Sequence, residues 1–138
     1  MGNCGEVLKS KLQTLQNRAV RITTRSGFEV RSSEILANIG WSELETRRSR
    51  QKSTLMYKIM NDLAPGYLRE LFIPLNEEVY YNLRQSDINV KIPQPVHSEY
   101  LKRSLSYKGA SLWNNLPVAI RYATHVKYFN SLINVYNF

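Results

Sequence analysis

The sequence predicts a mainly α-helical protein of about five helices, with a small pair of β-strands inserted before a segment that contains Trp113. Three observations lead to this fold class. Apolar residues near the N-terminus recur at alternating spacings of four and three, the period of one helix face. A serine followed three residues later by a glutamate, at 42–45, opens a second long helical pattern. Residues 76–103 instead carry prolines and β-favouring side chains, which predict an extended loop or strand insertion.

Length and composition fit a single globular domain over residues 1–138. The chain is 43% hydrophobic and 22% charged, which is enough to form a core. Its formal net charge of +8 favours an anionic partner. RNA or DNA comes ahead of a membrane, since no apolar run is long enough to span a bilayer. The single cysteine, Cys4, allows no internal disulfide and predicts an intracellular location, in the cytoplasm or the nucleus.

The first helix is predicted from Glu6 to about Thr24. One face carries an apolar stripe, formed by Leu8, Leu12, Leu15, Ala19 and Ile22. Cations cover the other faces, among them Arg18 and Arg21. Two interpretations stay open: the stripe faces a core and the basic back is solvated, or that back also lies along a phosphate backbone.

A short helix and a long helix are predicted next. Ser32 or Ser33 is expected to cap the short helix, and Gly40 to end it in a left-handed conformation. Ser42 is expected to cap a helix that runs from Glu43 to about residue 62.

The two halves of this long helix differ in kind. Apolar residues dominate the second half and predict a wide buried face. The first half concentrates four cations, Arg47, Arg48, Arg50 and Lys52. Four such charges within six residues repel one another, and bound phosphates would relieve that repulsion. A solvated helix face is the alternative.

A short amphipathic helix is predicted at 67–72, and an edge strand at 90–92 with residues 102–107 as its partner. Lys102 and Arg103 stand between Tyr100 and Tyr107. Alternating cations and rings suit single-stranded nucleic acid, whose bases stack on aromatic side chains. Tyrosines that fill a half-buried strand are the alternative.

Residues 104–117 are predicted to be a packing centre, with strand-like alternation at its start and Trp113 in an amphipathic segment that ends at Pro117. Thr124 is expected to cap a final helix. We expect ten side chains to share the core: Leu8, Leu12, Leu15, Leu55, Ile59, Leu63, Leu112, Trp113, Phe129 and Ile133.

The sequence carries no recognisable catalytic, metal or cofactor motif. His97 and His125 stand far apart, and neither has a ligand at metal-binding spacing. Glycine spacing matches neither a P-loop nor a dinucleotide fingerprint, and there is no Asp-Asp pair for two-metal phosphoryl transfer. The chain alone is therefore predicted not to be an enzyme, with no cofactor, no metal and no small-molecule substrate.

Several runs, in this order and at these distances, resemble one family. They are Leu-Gln-Asn-Arg-Ala at 15–19, Ile-Gly-Trp at 39–41, Leu-Met-Tyr-Lys-Ile-Met-Asn at 55–61, Leu-Ala-Pro-Gly-Tyr-Leu at 63–68, Asn-Leu-Arg at 82–84, Lys-Arg-Ser-Leu-Ser-Tyr at 102–107 and Leu-Trp-Asn-Asn-Leu-Pro at 112–117. The set resembles the C-terminal region of reverse transcriptases from non-LTR (LINE-class) retrotransposons of animals, downstream of the polymerase fingers and palm. The resemblance covers nearly the whole chain.

This resemblance implies a fragment of a longer polyprotein whose parent is an RNA-directed DNA polymerase. The family's catalytic palm, with its paired aspartates, is not in this chain, so the implied role is accessory: holding template RNA or target DNA near the polymerase. The residues expected to bind nucleic acid are Arg18, Arg21, Arg47, Arg48, Arg50, Lys52, Lys102 and Arg103. The alternatives are a structural module whose first helix and Trp113 region dock on the upstream reverse transcriptase domain, or a remnant with no independent function.

Overall fold

The structure, a computed structural model that describes residues 5–75, 89–94 and 99–138, is mainly helical, as predicted. Its helices are α1 Glu6–Thr24, α2 Ser32–Asn38, α3 Leu44–Met60, α4 Gly66–Arg69, α5 Glu99–Lys102, α6 Leu105–Asn115, α7 Val118–Arg121 and α8 Val126–Val135. Three of them, α4, α5 and α7, have only four residues each. The chain divides into two compact units, Met1–Arg48 and Ser49–Phe138.

The N-terminal unit is built from α1, α2 and the first turn of α3, and its apolar core is small. α1 packs against α2. The described core consists of Val20, Ile35 and Leu36, with Ile39 partly buried against them. At roughly 1.5–3 kcal/mol for each fully buried side chain, this cluster supplies only a modest share of what a folded domain requires.

Two polar side chains of α1 add hydrogen bonds within this unit. Gln13 Oε1 accepts a hydrogen bond from the Leu44 backbone N–H at 3.0 Å. Gln16 Nε2 donates to the Ser42 carbonyl at 3.3 Å. The inner face of α1 therefore combines glutamines with Val20, and its hydrogen bonds fix where α3 begins.

The predicted apolar stripe lies on a different side of α1. Leu8 and Leu15 are 53% and 58% exposed, Ile22 is 78% exposed, and Leu12 is half-buried. The prediction that Leu8 and Leu15 belong to the core is therefore wrong. At 3.6 residues per turn the stripe is centred roughly 130° around the helix from Val20, so the helix cannot bury both faces against α2.

The two ends of α2 were predicted with different success. Gly40 adopts a left-handed φ of 69°, as predicted, and the next N–H closes the helix with a 2.8 Å hydrogen bond to a carbonyl five residues earlier. The N-cap is Arg31, which makes no side-chain cap hydrogen bond. The prediction that Ser32 or Ser33 caps this helix is wrong, because α2 already includes both serines, and the Ser32 hydroxyl accepts from Arg21 at 3.0 Å.

α1 and α3 end in the same left-handed motif without a glycine. Arg25 follows α1 with φ 52°, and Asp62 follows α3 with φ 55°. In each case the N–H of the next residue donates to a carbonyl five residues earlier, at 3.1 Å and 2.8 Å. Both residues hold a conformation that costs a non-glycine residue roughly 1–2 kcal/mol. α3, at Leu44–Met60, begins and ends within two residues of the predicted bounds, Glu43 and about residue 62.

The C-terminal unit closes around the rest of α3 together with α6, α7 and α8. Tyr57 of α3 stacks on Phe129 of α8, with ring centroids 4.5 Å apart and planes at 27°. The Tyr57 hydroxyl donates to the Ala123 carbonyl at 2.7 Å, so a buried aromatic side chain also satisfies its polar group. Trp113 of α6 is fully buried in the same cluster.

The predicted core residues of this unit are mostly found in its core. Four are fully buried, which confirms the prediction for them: Ile59, Trp113, Phe129 and Ile133. Leu55 packs against them from a partly buried position, and Leu112 is half-buried. Leu63 is 57% exposed, and its assignment to the core is wrong. α3 ends at Met60, and the left-handed Asp62 that follows takes Leu63 off the helix face that packs inward.

The predicted pair of β-strands is absent from the part of the chain that the structure describes. Val90 instead makes an isolated antiparallel bridge with Pro74, flanked by backbone hydrogen bonds of 2.8 and 2.9 Å. On its other side Val90 is held by a side chain: Asn114 Nδ2 donates to the Val90 carbonyl at 2.8 Å, and Asn114 Oδ1 accepts from the Val90 N–H at 3.0 Å. The side-chain amide of Asn114 thus makes the two hydrogen bonds to Val90 that a neighbouring strand would otherwise make.

The predicted partner strand at 102–107 is wrong, because these residues mostly form helix. Lys102 ends α5 and Leu105 begins α6. Ser104 is the N-cap of α6, and its hydroxyl accepts from the Tyr107 N–H at 3.2 Å. The predicted insertion at 76–103 falls partly on 76–88 and 95–98, outside the described residues.

Candidate nucleic-acid interface

Arg47 and Arg48 lie on the part of α3 that belongs to the N-terminal unit. Arg47 is exposed. Arg48 is half-buried, with its Nη1 3.9 Å from Glu45 Oε2, and the same oxygen lies 3.7 Å from Lys9 Nζ. A carboxylate shared by two cations at these distances offsets only part of their charge, and Arg47 keeps the freer approach for a phosphate.

Arg50 and Lys52 belong to the C-terminal unit, where Arg50 has a structural contact. Its Nη2 donates to the Asn134 carbonyl in the last turn of α8 at 2.8 Å. One turn further along α3, Thr54 Oγ1 donates to Asn130 Oδ1 at 2.8 Å. A guanidinium at the C-terminal end of a helix also meets the negative end of its dipole. Arg50 therefore holds α3 against α8. Lys52, two residues further along α3, is half-buried.

Arg18 and Arg21 of α1 also differ in role. Arg18 is exposed. Arg21 Nη1 donates to the Gly27 carbonyl at 2.6 Å, and Nη2 donates to the Ser32 hydroxyl at 3.0 Å. Its guanidinium also lies 5.7 Å from the centroid of the Phe28 ring. Arg21 thus ties the α1–α2 connection to α1, and Arg18 is the better placed of the two for an external anion.

Lys102 and Arg103 occupy the junction between α5 and α6. Lys102 is exposed and Arg103 is half-buried. Tyr107, predicted to alternate with them along a strand, lies in the first turn of α6 and is half-buried. The predicted strand-borne row of cations and rings is therefore not formed here, although Lys102 itself faces solvent.

Arg121 is a buried cation that the sequence did not single out, and its role is structural. It is buried in the C-terminal unit, with Nη1 donating to Asn89 Oδ1 at 2.6 Å. Burial lowers the pKa of the Arg121 guanidinium below its usual range, and the neighbouring Tyr122 opposes that shift. Together with Asn114, it fixes the segment that follows residue 88. A lone arginine in an apolar helix gives no sequence signal of such burial.

A second missed group lies where α7 ends and α8 begins. The side chains of Tyr122, His125, Lys127 and Tyr128, here called the aromatic–cation patch, are all exposed. The rings of His125 and Tyr128 pair with centroids 6.0 Å apart, at 36°. Exposed rings beside a cation can stack on unpaired bases. The signal was present in the sequence, since cations and rings alternate at 121–128 as they do at 100–107.

The charge of the C-terminal stretch that contains this patch is one-sided. Residues 100–138 include five cations, Lys102, Arg103, Lys108, Arg121 and Lys127, and no aspartate or glutamate.

Among the described residues, no group of three or more His, Cys, Asp or Glu side chains could hold a metal ion. In that same part of the chain no helix is both long and apolar enough to cross a membrane.

Comparison of the chain with models of protein families, with curated proteins and with solved structures finds no match.

Proposed function

We propose that this protein is a non-catalytic accessory domain of a non-LTR retrotransposon reverse transcriptase, and that it binds single-stranded RNA or DNA. The observation that carries the proposal is the one-sided charge of residues 100–138, which include no acid and four cations whose side chains are exposed or half-buried. The family part of the proposal is supported by the sequence runs that resemble such enzymes, above all 63–68 and 112–117.

The binding itself is assigned to the exposed members of the predicted set and to the aromatic–cation patch. Arg18, Arg47 and Lys102 are exposed, as is Lys127 of the patch, so each can reach a phosphate. Each phosphate contact releases condensed counterions, which makes affinity fall with salt. The rings of the patch add stacking that does not depend on base identity. Arg21 and Arg50 contribute less, because their guanidinium groups are hydrogen-bonded to backbone carbonyls.

A salt titration tests this function. Binding of the full chain to a fluorescently labelled 20-nucleotide single-stranded RNA, the matching DNA strand and the DNA duplex is measured by anisotropy across about 50 to 300 mM salt. We expect the logarithm of affinity to fall linearly with the logarithm of salt concentration, with a slope of about −0.7 for each phosphate contacted on a single strand. Binding that is absent, or that does not respond to salt, would overturn the proposal.

Matched variants localise the site. Lys127→Ala should reduce the slope by about 0.7, and Lys102→Ala should do the same. Lys58→Ala is the control cation, since it is exposed and an acid, Asp62, follows four residues later. Tyr128→Leu should weaken single-strand binding at every salt concentration, by roughly 1 kcal/mol or more if a base stacks there. Tyr67→Leu, an exposed tyrosine on α4, is its control and should bind normally.

A further inference from the structure

α1 presents a row of exposed apolar side chains with the seven-residue repeat of a coiled coil. Leu8, Leu15 and Ile22 are each more than half exposed and stand seven residues apart. Half-buried Leu12 and exposed Ala19 lie between them, which completes a seam with alternating spacings of four and three. Large apolar residues that are this exposed and this regular mark a surface that meets another protein. These five residues are called the α1 seam.

The contacts of α1 inside its own unit lie on a different face. Val20 is buried against α2, and Gln13 and Gln16 bond the start of α3. Lys9 Nζ pairs with Glu6 Oε1 at 2.7 Å and lies 3.7 Å from Glu45 Oε2, on the same inner side. The N-terminal unit is therefore complete without the α1 seam, which faces away from it.

The border of the seam is positively charged. Lys11 and Arg18 directly precede Leu12 and Ala19, in the positions that flank the seam of a coiled coil and select its partner. Both are exposed. The acids of α1 do not compensate them, because Glu6 is the helix's single acid and it pairs with Lys9 on the inner side.

We infer that the α1 seam docks an amphipathic helix of another protein, with an apolar seven-residue repeat flanked by glutamate or aspartate. Such a helix pairs with both the seam and its cations. A second copy of this chain fits less well. An antiparallel copy brings Lys11 and Arg18 close to cations of its partner, and a parallel copy offers them Gln16 and Thr23. A partner of this kind is more specific than the docking alternative that the sequence raised, and of the exposed cations assigned to nucleic acid it uses only Arg18.

Two synthetic peptides provide the probe. Each has three heptads with alanine and leucine alternating along its seam; one carries glutamate at all flanking positions and the other lysine. We expect the glutamate peptide to bind the full chain at least about tenfold more tightly than the lysine peptide, as measured by isothermal titration calorimetry. The variant Lys11→Glu with Arg18→Glu should reverse that preference. Equal binding of both peptides, or binding of neither, would overturn the inference.

The variant Leu15→Ser tests the seam itself and should weaken binding of the glutamate peptide at least about tenfold. The circular dichroism spectrum should stay unchanged, because the Leu15 side chain is already largely in solvent. Leu63→Ser, similarly exposed but outside α1, is the matched control and should bind like the parent. Equal weakening by both variants would refute the assignment. Sedimentation equilibrium must show a monomer at micromolar concentration, since a dimer that Leu15→Ser dissociates would make a second copy the occupant.

Discussion

Gly109 gives the sharpest test of how the C-terminal unit packs. It lies inside α6 and is buried. A Cβ atom placed there would lie 2.8 Å from Met56 Sδ and 3.3 Å from Leu105 Cδ1. Glycine inside a helix is ordinarily about 1 kcal/mol worse than alanine, so propensity alone predicts that Gly109→Ala stabilises the protein. The geometry predicts the opposite sign.

The magnitude follows from the two opposing effects. Alanine gains roughly 1 kcal/mol of helix propensity. Overpacking a filled core costs typically 1–3 kcal/mol, and the fully buried Met56 side chain must shift to admit the new methyl group. We expect Gly109→Ala to lower the free energy of unfolding by up to about 2 kcal/mol.

Urea unfolding measures the change. In a Trp41→Phe background the buried Trp113 is the remaining tryptophan, so its fluorescence reports on the C-terminal unit. Gly66→Ala is the control, since a Cβ at Gly66 meets nothing within 4 Å, and it should be neutral or slightly stabilising.

A double-mutant cycle separates the clash from other effects. Met56→Ala alone should destabilise by about 2–5 kcal/mol, because it leaves a cavity. In that background the obstructing sulfur is gone, and Gly109→Ala should become neutral or stabilising by up to about 1 kcal/mol. Stabilisation by Gly109→Ala in the parent protein, or the same destabilisation in both backgrounds, would refute the packing described for α3 and α6.

Three further changes test individual contacts. Asn114→Ala removes both hydrogen bonds to the Val90 backbone and should lower the free energy of unfolding by about 2–3 kcal/mol in urea titrations; an unchanged midpoint would contradict this. Tyr57→Phe keeps the ring stack but loses the bond to the Ala123 carbonyl, so a loss of about 1–1.5 kcal/mol is expected by the same method. Asp62→Gly relieves a left-handed conformation and should be neutral or raise the melting temperature, and a clear fall would count against that backbone geometry.

Helical periodicity identified the elements better than it identified their surroundings. The spacing of Leu8 and Leu15 correctly predicted α1, but it could not tell whether the stripe packs inside the chain or outside it, since both give the same pattern. Trp113 and Phe129 were placed correctly because each lies among apolar residues at helical spacing, which predicts the buried face of its helix.

The prediction of a strand at 102–107 was wrong for a different reason. Alternation over a few residues also fits the first turn of a helix, and Ser104 as an N-cap decides between the two. For the candidate interface, the sequence supplied the identity of the cations but not their roles. Arg21 and Arg50 meet the Gly27 and Asn134 carbonyls, and only the folded chain brings those acceptors into reach.

α3 runs without interruption from Leu44 in one unit to Met60 in the other. Its amide hydrogens should therefore exchange with deuterium in two regimes. Around Tyr57 exchange requires the larger core to open, and protection should approach that of the most stable part of the chain. Near Leu44 the opening of the smaller unit, with its few buried apolar residues, is enough. Peptides from the two halves of this one helix would then take up deuterium at clearly different rates, and a partner that orders α1 would slow exchange in the first half.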